Sequence, residues 1–175
     1  MTDAQRQRVY DAENALTTLF DNIALSQNPV VVLPHGITVT LPPEARFGSL
    51  ESIQTHVDRI LRHPVIEMAY PRMSGVPITV RRRKSAGKAH YEDYPTWPNP
   101  RIAIHDGRND WAMRELVVLH EVAHHLSYGQ QHGPGFAEAL LVLVKTVMGP
   151  EVGLALQVFF DDFEVDSRPK DVVLA

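Results

Sequence analysis

The chain has 175 residues, of which 44% are hydrophobic and 22% charged, with a formal net charge of -4 and a pI near 6.1. That length suits one compact domain, residues 1–175, with a real core, and the slightly acidic balance gives no global attraction to nucleic acid or acidic membranes. The absence of cysteine excludes a disulfide framework, a zinc ribbon and any thiolate metal site, so a metal would need nitrogen and oxygen ligands, and nine histidines are present to supply them.

The first twenty residues carry charges throughout and no apolar stretch of the kind a secretory signal needs. The longest apolar run, residues 139–144, is far too short to span a bilayer. A cytoplasmic protein that does not enter the membrane is the default expectation. Residues 3–24 read as a helix, with Ala12, Leu16, Leu19 and Ile23 at helical spacing. Asn28-Pro29 ends it, and residues 30–33 and 37–41 read as two short strands around Pro34-His35-Gly36. Ser49 is placed to cap a helix running to about Arg62, with Leu50, Ile53, Val57, Ile60 and Leu61 inward.

Residues 77–84 and 88–92 read as a hairpin turning at Ser85-Ala86-Gly87. Residues 94–100, with three prolines and Trp97, predict a stiff irregular loop in which Trp97 plugs the core or anchors a lid. Residues 101–105 read as a strand and residues 106–110 as a turn, with Asp110 the N-cap of the strongest helix in the chain, residues 111–128, ending at Gly129. Pro134 opens a further helix to Met148, and a last one covers about 151–163. The order of elements defines an α+β class.

His120-Glu121-Val122-Ala123-His124 lies inside that strongest helix. Residues four apart share a helical face, so the two imidazoles can converge on one ion. Glu121 sits about 100° round the helix from His120, where it can serve as a general base without being a ligand. Leu116, Val117, Val118, Leu119, Val122, Ala123 and Leu126 surround most of the helix, which predicts burial on more than one side. Two buried histidines and a glutamate are costly unless partnered, and one metal ion would account for all three.

An open catalytic zinc site takes three protein ligands. His132 follows the helix-ending Gly129 and precedes Pro134, so a sharp reversal would return it beside the first two; it is preferred to Glu138, the competing third ligand on the next helix. Tyr128 is the first candidate for stabilising an oxyanion, with His105 and Tyr91 as alternatives. His125 is expected in the core or behind the ligands, and His35, His56, His63 and His90 on the surface. Arg81-Arg82-Arg83-Lys84 reads as a charged strand edge, with phosphate contact the weaker reading.

The segment HEVAHHLSYGQQHGPGF resembles the core of the SprT/Spartan-like metallopeptidases, in which H-E-x-x-H is followed by a loop and an H-G-x-x-F segment opening the next helix. It is also similar to a group of uncharacterised actinobacterial and phage metallohydrolases. The resemblance covers about residues 113–141. It implies a zincin-like α+β fold, a small mixed or antiparallel sheet packed on the H-E-x-x-H helix, with one Zn2+ per chain held by His120, His124 and His132. It further implies Glu121 as base and a polypeptide substrate laid along the sheet edge beside that helix, for which residues 101–105 are the expected strand. Spartan-like proteins commonly carry nucleic-acid-binding modules, and this chain ends soon after the core, so nucleic acid is the less supported partner. The sequence leaves the oligomeric state open. An ImmA/IrrE-like regulatory protease and a non-catalytic, metal-stabilised binding module are the competing functions.

Overall fold

The computed structural model describes residues 3–84, 88–92, 99–105 and 110–168. Seven α-helices and five strands follow one another among them: α1 (Arg6–Ser26), β1 (Val30–Val32), β2 (Thr38–Thr40), α2 (Leu50–Leu61), α3 (Pro64–Ala69), α4 (Pro71–Ser74), β3 (Thr79–Arg82), β4 (His90–Glu92), β5 (Arg101–Ile104), α5 (Glu115–Leu126), α6 (Pro134–Val147) and α7 (Pro150–Asp162). The class is α+β, as the sequence indicates. No helix among the described residues is long and apolar enough to cross a membrane. The turn at Ser85-Ala86-Gly87, Trp97 with most of the proline-rich loop, and residues 106–109 lie outside the described residues.

The chain divides into two compact units, each with its own core. The first comprises Met1–Pro43 and Gly129–Ala175. In it α7 packs against α1, α6 and β2. Helix α1 buries Val9, Ala12, Leu16, Phe20 and Ile23, one stripe at the spacing that 3.6 residues per turn dictates. Strands β1 and β2 pair antiparallel, Val31 opposite Val39, around a turn in which His35 and Gly36 both take positive φ. Helices α6 and α7 approach so closely at Gly153 that a Cβ there would stand 2.9 Å from Lys145 Cβ. Glycine at that position is what allows the two helices to pack.

The second unit is Glu44–Tyr128. Helix α2 begins where Ser49 predicts: the Ser49 hydroxyl accepts from Ser52 N–H and the Ser52 hydroxyl accepts from Ser49 N–H, a reciprocal cap. Pro64 opens the short helix α3, with His63 as its N-cap. The sheet differs from the expected hairpin. Its order is β3-β5-β4, with β5 parallel to β3 and antiparallel to β4. Ile102, Ala103 and Ile104 are fully buried, so β5 must lie centrally, whereas the arginine-rich β3 is tolerable only at an edge.

This order also removes β5 as the strand that receives substrate, since both its edges are already paired. Of the outer strands, β4 is the one that packs on α5. The outer edge of β3 is covered by Gln54 of α2, whose side chain accepts from Val80 N–H at 2.7 Å and donates to the Ile78 carbonyl at 2.9 Å.

Helix α5 starts at Glu115 and ends at Leu126, shorter at both ends than the pattern implied, and Asp110 opens a separate 3-10 turn, Asp110–Met113. The physical cause is a bridge from residues far upstream. Phe47 N–H donates to the Met113 carbonyl, Glu115 N–H donates to the Ala45 carbonyl, and Arg114 is thereby held extended. The Glu44 carboxylate completes the clamp: it accepts from Arg114 Nε at 2.7 Å and from Leu116 N–H, an otherwise orphaned donor of the first helical turn. Both Glu44 and Arg114 side chains are buried. Removing one partner strands the other charge, so Arg114→Ala is expected to lower unfolding free energy by about 3–5 kcal/mol. Urea denaturation measures this, and a loss below about 1 kcal/mol would show that the clamp does not hold the start of α5.

Candidate metal centre

Helix α5 carries His120, Glu121 and His124 in the second unit. Leu116, Val118, Leu119, Val122, Ala123 and Leu126 are all buried, so packing fixes the rotation of the helix about its axis. His120 and Glu121 are buried with them, and His124 is half-buried. The His120 and His124 rings stand edge to face, with centroids 4.9 Å apart, as one helical turn of separation requires.

The chain then reverses. Gly129 takes φ +80° and Gln131 φ +48°, two left-handed residues that curl the loop. The Gln130 carbonyl accepts from Gly133 N–H and its side-chain carbonyl accepts from Gly135 N–H, so this loop caps the first turn of α6. His132 lies in that curl. It is buried, with its ring edge-on to Phe136 at 4.8 Å and tilted against Tyr10 at 5.3 Å between centroids.

Within residues 120–132, one ring nitrogen from each of His120, His124 and His132 lies within 4.8 Å of the others, a group that can hold a metal ion. An all-imidazole set suits a first-row transition metal ion rather than magnesium or calcium. Glu138 is not part of the group. It lines a cleft of the first unit with Gln157, Asp161 and Asp166.

The remaining sequence candidates sort by their partners. Tyr128 lies beyond the last helical residue and is 45% exposed, so helical periodicity does not aim it along the ligand face. Tyr91 is committed elsewhere: its hydroxyl is 3.0 Å from His125 Nδ1. His125 is fully buried, with Nε2 2.8 Å from the Met73 carbonyl. The carbonyl only accepts, so the proton sits on Nε2 and Nδ1 accepts from Tyr91. Burial pushes the His125 imidazole below its ordinary range, against the opposing pull of the Met73 and Val76 carbonyls. It is a core residue. His105 on the strand side is half-buried.

His56, expected on the surface, is instead buried, with Nε2 3.1 Å from Glu115 and Nδ1 2.8 Å from Arg59. The Glu115 carboxylate that covers it comes from an element far away in sequence, and the Phe47 ring from the loop before α2, neither at a helical spacing from His56, which is why spacing did not show it. His35 is exposed beside Asp162, and His90 pairs with Glu92. The basic run is partly neutralised. Arg81 pairs with Glu92, whose carboxyl is held below its usual range chiefly by that hydrogen bond. Arg83 donates to the Lys88 carbonyl.

One residue of the site gave no signal in the sequence. Asp3 accepts from His132 twice: its Oδ1 is 3.3 Å from the His132 backbone nitrogen and its Oδ2 2.8 Å from Nδ1. No family model, curated protein or solved structure matches this chain.

Proposed function

We propose that this protein is a zinc-dependent hydrolase, a metallopeptidase of zincin-like design that cleaves peptide bonds. The reading rests on one observation: three imidazole nitrogens gathered within 4.8 Å, with Glu121 the immediate neighbour of His120 on the same buried helix. A structural site has no need of a carboxylate at that place, whereas a hydrolytic one does. His120, His124 and His132 would hold a zinc ion, which when bound would activate water and polarise the scissile carbonyl. Glu121 takes the proton from the attacking water and delivers it to the leaving amine, restoring its own carboxylate. Its burial keeps that proton from being lost to bulk solvent.

Metal analysis tests the site directly. The purified protein is expected to carry about one zinc per chain. His120→Ala and His124→Ala are each expected to lose the metal and to melt at a lower temperature, because ligand binding and folding are coupled. Full zinc retention in both variants would sink the site.

A further inference from the structure

We propose that Asp3 is a positioning residue of the metal centre, holding His132 in the tautomer and orientation that present Nε2 as its ligand atom. The proposal rests on the reading of His132 as a ligand. A carboxylate only accepts hydrogen bonds, so a neutral His132 ring facing Asp3 Oδ2 at 2.8 Å carries its proton on Nδ1. The lone pair is then on Nε2. Because Oδ1 also accepts from the His132 backbone N–H, one carboxylate fixes the ring and the main chain together. Tyr10 and Phe136 close the sides of the ring, so rotation about its bonds is opposed from three directions. A carboxylate behind a histidine ligand both sets the tautomer and makes the imidazole more basic.

Asp3 lies near the start of the chain, where fraying is the usual behaviour. Here the segment is anchored. The Gln5 side chain is buried and makes two bonds to one residue: its amide donates to the Asp166 carbonyl, and its carbonyl accepts from Asp166 N–H, each at 3.0 Å. Arg8 donates to the Glu164 carbonyl at 2.9 Å. Helix α1 follows directly, so Asp3 is offered to His132 from a fixed support.

The test compares the full chain with Asp3→Ala and Asp3→Asn. Zinc affinity is read by competition with a chelator, and the His132 tautomer by nitrogen NMR of the metal-free protein at a pH where imidazole is neutral. Asp3→Ala is expected to weaken zinc binding about 10–100-fold, with Asp3→Asn losing less because its amide oxygen still accepts. In the metal-free wild type, the Nδ1–H form is expected to dominate, and in Asp3→Ala that dominance disappears. An unchanged tautomer in a folded Asp3→Ala, or unchanged zinc affinity, overturns the proposal. Failure of the wild type to take up zinc overturns the metal reading on which it rests. The tautomer measured without metal distinguishes that outcome from a failure of Asp3 to orient the ring.

Discussion

Glu121→Gln is expected to keep its zinc and its fold while losing peptide hydrolysis by several orders of magnitude. Glutamine fills nearly the same space on the buried face of α5, so packing around Val118, Val122 and Ala123 is preserved. Its amide cannot take a proton at neutral pH. The proton that Glu121 would carry from water to the leaving amine then has no carrier, and general acid–base catalysis alone is worth about 10²–10⁴-fold. Orientation of the attacking water is lost with it. Steady-state kinetics on unstructured polypeptides, with zinc content measured on the same samples, reads both quantities. Undiminished hydrolysis by Glu121→Gln would remove the base assignment. A wild type that holds zinc and cleaves none of a broad set of polypeptides would favour the metal-stabilised binding module. Selective cleavage of one repressor-like partner would favour a regulatory protease.

The second large effect concerns the third ligand. His132→Ala is expected to lower zinc affinity by orders of magnitude, and Glu138→Ala to change it little. Removing one of three imidazoles leaves a two-ligand site that water must complete, and chelate binding loses the ligand that Asp3 and the aromatic rings have already oriented. Glu138 lies on α6, in a cleft beside Asp161 and Asp166 rather than in the histidine group. Chelator competition on both variants separates the two ligands in one experiment. Strong loss in Glu138→Ala with near-normal binding by His132→Ala would transfer the third position to the glutamate and end the SprT-like reading.

What the sequence determined by itself was local. The four-residue spacing of His120 and His124 puts both rings on one face of any helix that contains them, and the apolar residues between them make that helix a buried one. The Ser49 cap, the stripe of α1, and the turn at Pro34-His35-Gly36 are equally local, and each was legible because caps, turns and helix and strand periods act over a few residues. The curl that returns His132 was signalled by Gly129 and Pro134, the residues that end one helix and begin the next.

Tertiary structure alone decided the rest. Strands β3 and β4 have the composition of a hairpin, but β5, with Ile102, Ala103 and Ile104 fully buried, needs a neighbour on each side and takes the place between them. The start of α5 is set by Glu44, Ala45 and Phe47, which bridge to Met113, Arg114 and Glu115 and hold the chain extended where helical periodicity alone would have continued the helix. His56 is drawn inside by Glu115, and His132 is oriented by Asp3. Each of these pairs joins residues far apart in the chain, whose closeness is fixed by the packing of whole elements. A hydrogen bond between such residues leaves no period or local pattern in the sequence, because nothing near either partner in the chain points to the other.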